Sequence, residues 1–176
     1  MVQRSRLLRF LVALFAASQI VGFVLAWHSQ LLRGPGFSFQ LAPNGMAFDE
    51  VGRLALVQTV AGVSLGLAAL TALLFGLWHL ERMLRSARDS SIFSLANIAH
   101  LRVFAGAAAV SIALSIAEVP LRGLLFKHVL GVPEAQIKMA VSSSDLFLLL
   151  LCMVFYLVAD MMHAARKLAK ENEAFV

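Results

Sequence analysis

The sequence contains four long apolar segments, and each is long enough to cross a membrane as a helix. They cover Leu7–Trp27, Leu54–Leu80, Val103–Phe126 and Leu146–Met162. About 20 apolar residues are needed to span a hydrocarbon core of ~30 Å. Only 14% of the residues are charged, against roughly 25% in a soluble domain. The sequence therefore predicts an all-α integral membrane protein, with a four-transmembrane-helix bundle as a single domain over residues 1–176.

The basic residues are distributed unevenly among the connections. Ten of the fifteen lie at the start of the first segment, around the second connection or after the fourth segment: Arg4, Arg6, Arg9, Arg82, Arg85, Arg88, Arg102, Arg166, Lys167 and Lys170. The other five lie in the first connection, or in the third connection and the end of the segment before it: Arg33, Arg53, Arg122, Lys127 and Lys138. The positive-inside rule then predicts cytoplasmic N- and C-termini and small extracytoplasmic loops. Basic residues placed in this way face anionic lipid heads, and we expect no direct binding to nucleic acid.

Small and polar residues mark the helix faces that pack. Gly62 and Gly66 have GxxxG spacing in the second segment, while Ala107, Ser111 and Ser115 share one face of the third. Such faces let helices approach closely, either within one chain or in a homo-oligomer. Gln19 and Gln58 are expected to point inward, because an amide facing lipid is costly. Trp27 and Trp78 are expected to anchor their helices at the two interfaces.

Ionisable residues are absent from the central depth of the four segments. Glu118 is the deepest, and Arg122 follows it by one turn on the same helix face. Residues four apart on a helix are neighbours, so we predict a structural ion pair, Glu118–Arg122, near the outer boundary. A ligand or proton site at Glu118 is the alternative, since a charge at membrane depth must be compensated. Pro120 is expected to kink this helix.

The sequence contains no motif typical of an enzyme. There is no Gly-rich phosphate loop, zinc-protease helix or nucleophile elbow. Cys152 is the single cysteine, which excludes an intramolecular disulfide. His79, His100 and His163 lie near one boundary, but their spacing favours ordinary interfacial histidines over metal ligands. We therefore predict no catalytic residues, no metal, no cofactor and no enzymatic activity.

The connections contain turn and cap signals. Phe37–Leu41 and Gln136–Val141 alternate apolar and polar residues, and we predict that they pair as a short β-ribbon over the outer mouth. Ser94 is placed to cap a helix beginning at Leu95, and Ser142–Asp145 to cap the fourth helix.

The fourth segment is expected to continue as a helix into a cytoplasmic tail, residues 163–176, because no Gly or Pro interrupts it before Ala174. Met161, Ala164, Ala165 and Leu168 recur on one face, and the basic residues His163, Arg166, Lys167 and Lys170 on another. The tail fits a helix lying on anionic headgroups, and it also fits a docking surface for a cytoplasmic protein.

Three stretches of the sequence resemble a known family. The sequences IFSLANI (92–98), VSSSDL (141–146) and ENEAFV (171–176) are similar to the YoaS-like bacterial membrane family, a domain of unknown function. Its Phe-Ser/Thr-x-x-Asn element corresponds to Phe93, Ser94 and Asn97, although the glycine that usually precedes the Phe is missing. Family members are often encoded beside a small Cro/CI-type helix-turn-helix regulator. The resemblance implies a multi-pass protein of the bacterial inner membrane that acts through a cytoplasmic transcription factor.

Two functional hypotheses follow. The first is a non-enzymatic membrane regulator whose cytoplasmic face binds a protein. The predicted contact residues are Phe93, Ser94, Asn97, Arg166, Lys167, Leu168, Lys170, Glu171, Asn172 and Phe175. The second is a small transporter or channel component, with an oligomeric pore lined by Gln19, Gln58, Ser64 and Thr71. The lack of charges at the bilayer midplane favours the first hypothesis.

Overall fold

The chain folds into four long helices joined by shorter connections. The computed structural model describes residues 2–28, 31–34, 37–40, 42–44, 46, 51–52, 54–86, 94–129, 139 and 141–173. The helices in these ranges are α1 (Val2–Trp27), α2 (Leu56–Ser86), α3 (Leu95–Leu124) and α4 (Ser143–Glu173). All four are long and apolar enough to cross a membrane, so the chain is a multi-pass membrane protein. A π-helical segment, Leu125–Val129, follows α3.

Side-chain caps fix the starts of α3 and α4. Ser94 has extended backbone angles, and its hydroxyl accepts a hydrogen bond from the backbone N–H of Asn97. At α4 the Ser142 hydroxyl accepts from the Asp145 N–H, and the Asp145 carboxylate accepts from the Ser142 N–H. This reciprocal pair satisfies two N–H groups that a helix start would otherwise leave unbonded. The caps predicted from the sequence are therefore present at both positions.

Helices that are consecutive in the chain pack side by side. α1 packs on α2, α2 on α3, and α3 on α4, whereas among the described residues α1 and α4 do not pack along each other. Side-chain contacts join α1 to α2 (Arg9–Glu81), α2 to α3 (His79–His100) and α3 to α4 (Arg102–Asp160) at one end of the helices. We call this the terminal end, and we call the opposite end, where α1 leads into two short strands, the hairpin end.

Glycines of α2 provide the closest helix contacts. A Cβ atom at Gly62 would overlap the Trp27 ring, and one at Gly66 would lie 2.8 Å from the Phe23 ring. Both glycines therefore seat aromatic side chains of α1. Ser111 of α3 donates a hydrogen bond to the carbonyl of Ala69 at 2.8 Å. The small-residue faces thus pack within the chain.

The position of Trp27 corrects one prediction. We expected this side chain to be an interfacial anchor, but it is 9% exposed, because the missing side chain at Gly62 leaves room for its ring between α1 and α2. Trp78 is 49% exposed, and the Arg82 guanidinium lies 4.9 Å from its ring centroid. An exposed indole beside a cation is suited to the membrane interface.

Two short strands follow α1. The strands β1 (Leu31–Gly34) and β2 (Phe37–Gln40) pair antiparallel, with Gly34 opposite Phe37. We predicted a ribbon between Phe37–Leu41 and Gln136–Val141; instead, β2 pairs with the strand just before it. A two-residue connection makes this local pairing the less demanding one. Residues 136–138 lie outside the described residues, so their pairing stays a prediction.

Candidate functional site

A cavity lies between α1 and α4 on the hairpin-end side of the helices. Its volume is about 800 Å³, within the range of small-molecule sites, roughly 300–1,000 Å³. Since α1 and α4 do not pack along each other, we call this cavity the cleft; α2 and α3 line it as well. α1 and α4 provide twelve of its lining residues: Phe15, Ser18, Gln19, Gly22, Phe23, Ala26, Trp27, Asp145, Leu148, Leu151, Cys152 and Phe155.

The cleft extends over about half of the membrane thickness. Its lining on α1 runs from Phe15 to Trp27 and on α4 from Asp145 to Phe155. At about 1.5 Å per residue these stretches measure ~18 and ~15 Å, against a hydrocarbon core of ~30 Å. The cleft therefore has the depth of one lipid leaflet.

The wall of the cleft is polar near the hairpin end. Glu118 and Ser115 of α3, Asn44 of the first connection, and Asp145 of α4 all line it. The Asn44 side-chain amide lies 3.3 Å from both the carbonyl and the hydroxyl of Ser115. These bonds attach the first connection to α3, and they place polar groups next to an otherwise apolar cavity.

A buried ion pair lies behind this polar wall. Arg122 Nη1 donates to Glu118 Oε1 at 2.7 Å, with side chains that are 4% and 9% exposed, respectively. Arg122 Nη2 also donates to the backbone carbonyl of Asn44. Arg122 does not line the cleft, whereas Glu118 does. The pair thus presents its carboxylate to the cleft and its guanidinium to the first connection.

Charged and ring contacts connect the helices at the terminal end. Glu81 accepts from Arg9 at 3.1 Å and from Arg85 at 2.7 Å, and hydrogen bonding to Arg85 lowers the pKa of its carboxyl. His79 Nδ1 lies 2.9 Å from His100 Nδ1, so one of these nitrogens must carry the proton of the bond. His163 is exposed. No group of three metal-ligating side chains is found among the described residues.

The comparisons with known proteins identify a family. Residues 7–176 match the family described as Protein of unknown function (DUF2975). The chain belongs to this family. No curated protein matches the chain, and no solved structure matches it. The membership covers nearly the whole chain and agrees with the predicted resemblance in one respect, a domain of unknown function.

In this DUF2975 protein the predicted partner residues occupy different environments. Asn97 is 2% exposed, because it shares a buried face of α3 with Leu101 and Ala105. Asn97 is therefore buried in the single chain, and its contact with a partner stays a prediction. Phe93 and Phe175 lie outside the described residues, and Ser94 is occupied as a helix cap.

The predicted residues of the tail lie on the last turns of α4. Lys167, Leu168, Lys170 and Glu171 are exposed there, and Arg166 is partly exposed. Asn172 belongs to the same helix. The structure therefore brings the tail residues together on one helix.

Apart from Gln19, sequence reasoning did not identify the residues of α1 and α4 as lining a cavity. Gly22 gave no signal, because a lone glycine in an apolar helix is common. Asp145 was interpreted only as a capping residue, and the bond from the Ser142 N–H shows that it has this role. Asp145 also lines the cavity because of the way α4 packs on α3. The sequence of one helix does not predict that packing.

Proposed function

We propose that the chain is a non-enzymatic regulator of the bacterial inner membrane, in which α4 relays a signal from the membrane to a cytoplasmic helix-turn-helix transcription factor. The observation that carries this proposal is the continuity of α4. One helix of 31 residues, Ser143–Glu173, includes the cleft wall and the exposed basic tail. A helix has few internal degrees of freedom, so a tilt at one end is transmitted to the other.

Contacts near the middle of α4 provide a pivot for such a tilt. Ala159 is fully buried in a cluster with Ile98 and Leu101 of α3, and Asp160 accepts a hydrogen bond from Arg102. From Ala159 the helix extends fourteen residues back to Asp145 and fourteen forward to Glu173, about 21 Å in each direction. Movement of the cleft wall would therefore displace the tail by a similar distance.

The tail has the surface properties of a docking site. Leu168 is 61% exposed and is flanked by Lys167 and Lys170, while Lys167 approaches Glu171 at 3.9 Å. In this proposal Leu168 supplies the apolar contact with the partner, and the charged side chains beside it supply the polar ones. The alternative for the same residues is adsorption to anionic lipid.

The proposed orientation places both termini in the cytoplasm and can be tested by labelling. In a Cys152→Ala background, cysteines introduced at Ser38 and Ser142 are expected to react with a membrane-impermeant thiol reagent added to intact cells. A cysteine at Ser86, at the end of α2, should react only after the membrane is opened. Labelling at Ser86 in intact cells would refute the orientation.

Deleting Glu171–Val176 tests the docking function of the tail. In a pull-down with the tagged chain, we expect the amount of co-purified helix-turn-helix regulator to fall at least about tenfold, which corresponds to ~1.4 kcal/mol of binding free energy. The regulator tested is the one encoded beside this chain. Expression of a reporter under that regulator should change accordingly. Membrane insertion should be unaffected, because the ion pair that joins the deleted segment to the chain, Lys167–Glu171, lies within the tail itself.

A charge-neutral exchange distinguishes a protein partner from lipid. The double variant Lys167→Leu/Leu168→Lys keeps the composition and net charge of the tail but moves the leucine to another position on the helix. Adsorption to anionic lipid depends mainly on the net charge of the tail, so it should persist. Co-purification of the regulator should be lost. Unchanged recovery in both the deletion and the exchange would leave the tail as a lipid anchor.

A transporter or channel component is the second candidate, and the cleft with its polar wall is the observation that favours it. The residues predicted to line an oligomeric pore do not act together, however. Gln19 lines the cleft, whereas the exposed hydroxyls of Ser64 and Thr71 donate to carbonyls of their own helix, Ala61 and Ala68. Their bonds are satisfied locally, so they are compatible with a lipid-facing position.

A further inference from the structure

The cleft between α1 and α4 combines an apolar body with an acidic end. Phe15 and Phe23 of α1 and Leu148 of α4 belong to its apolar wall, while Glu118 and Asp145 line its polar part. A cavity of this form matches an elongated molecule that has one apolar chain and one polar head. We propose that the cleft binds an amphiphile whose apolar chain carries a primary amine head, with the amine near Glu118 and Asp145.

The charges at the polar end favour a cationic head over an anionic one. Two carboxylates line this part of the cleft, whereas Arg122, which balances the charge of Glu118, is not among its lining residues. Arg122 is directed at Glu118 and at the Asn44 carbonyl. An ammonium has three donors, and a carboxylate can accept more bonds than the single one that Glu118 or Asp145 is shown to make.

The start of α4 does not provide a competing anion site. Helix N-termini attract anions through unbonded N–H groups and the helix dipole. Here the Asp145 carboxylate already lies in the first turn, and the Ser142 hydroxyl takes the Asp145 N–H. The carboxylate thus supplies the negative charge that the helix start favours, and a second anion would be repelled by it.

The size and the opening of the cleft indicate how the chain would enter. Its depth of ~15–18 Å along the helices corresponds to one leaflet, and the two helices on either side of it, α1 and α4, do not pack along each other. An amphiphile can therefore move in sideways without leaving the membrane. Two sources share this chemistry, an aminophospholipid of the bilayer and a free long-chain amine.

Gly22 allows the cleft to be filled without disturbing helix packing. It lines the cleft, and a Cβ added there would meet no atom within 4 Å. Gly106 of α3 is the matched control, because its Cβ would also meet open space and it is not a lining residue. The change Gly22→Leu should therefore occupy the cleft, and Gly106→Leu should leave it open.

Binding can be followed by the fluorescence of Trp27, which lines the cleft. In a Trp78→Phe background it is the single indole. With the purified full chain in phosphatidylcholine nanodiscs, dodecylamine should change Trp27 emission saturably, and dodecanoic acid should bind at least about tenfold more weakly. Gly22→Leu should abolish the response, Gly106→Leu should retain it, and Asp145→Asn should reduce the preference for the amine.

Brominated lipids identify the source. If brominated phosphatidylethanolamine quenches Trp27 much more strongly than brominated phosphatidylcholine does, the occupant of the cleft is the bilayer lipid. If the two lipids quench equally and dodecylamine binding is saturable, the occupant is the free amine. A non-saturating response, equal for amine and acid and unchanged in Gly22→Leu, would overturn the inference. So would a shift from dimer to monomer in Gly22→Leu, because a second copy of the chain would then be the occupant. These measurements need no cytoplasmic partner and are independent of the regulatory proposal.

Discussion

Replacing Glu118 by Gln is expected to lower the free energy of unfolding by about 3 kcal/mol, the lower end of the cost of breaking a buried ion pair. The substitution keeps the size of the side chain and an oxygen that can accept from Arg122. It removes only the negative charge, and Arg122, whose side chain is 4% exposed, is left as an uncompensated buried cation. Equilibrium unfolding in mixed detergent micelles, with increasing sodium dodecyl sulfate, measures the loss.

The double variant Glu118→Gln/Arg122→Gln provides the control. It removes both charges, so the penalty for an unpaired buried charge disappears, and part of the stability lost in the single variant should return. The recovery should be incomplete, because Arg122 also donates to the Asn44 carbonyl. If the double variant lost as much stability as the sum of Glu118→Gln and Arg122→Gln, a direct energetic coupling between the two side chains would be contradicted.

Replacing Gly62 by Ala is expected to destabilise the protein by about 1–3 kcal/mol, the usual cost of overpacking. The added methyl group would overlap Trp27 and lie 2.9 Å from its Cζ3 atom, so the ring would have to give up its packing against α2. Without this steric conflict, alanine in place of glycine would stabilise a helix by about 1 kcal/mol. The same unfolding assay measures both contributions together.

Gly106→Ala is the matched control for this steric effect. A Cβ at Gly106 meets no neighbouring atom within 4 Å, so here only the gain in helix propensity should remain. The two identical substitutions should therefore have opposite signs. Combining Gly62→Ala with Trp27→Phe should restore part of the stability, since a smaller ring leaves space for the methyl group. Equal effects at Gly62 and Gly106 would show that Trp27 is not held tightly against α2.

The features that the sequence predicted well are local along the chain. Hydropathy over about 20 residues identifies a membrane-spanning helix, and the four helices of the structure contain the predicted segments except for the first two residues of the second and the last two of the third. A serine before a helix and an acid three residues later predict a capping box, and Ser142 and Asp145 form one. Glu118 and Arg122 are neighbours because they are four residues apart on one helix.

The features that the sequence did not predict depend on which helices meet. Trp27 has the character of an interfacial anchor by its position at the end of an apolar run, but it is buried because α2 presents Gly62 to it. β2 pairs with β1, and an alternating pattern alone cannot choose between two partners. The cleft exists because α1 packs on α2 and not along α4. None of these choices can be read from the periodicity of one segment.

The most direct test of signalling through α4 interrupts the helix between its pivot at Ala159 and the predicted partner contacts of the tail, which begin at Arg166. Ala165 is exposed, so Ala165→Pro removes no packing but breaks the helix at a cost of ~3 kcal/mol, and Ala165→Gln is the matched helix-forming control. We expect the proline variant to retain recovery of the helix-turn-helix regulator but to lose control of the reporter, with both properties retained in the glutamine variant. Full reporter control in the proline variant, at unchanged recovery of the regulator, would contradict a signal carried by a continuous α4.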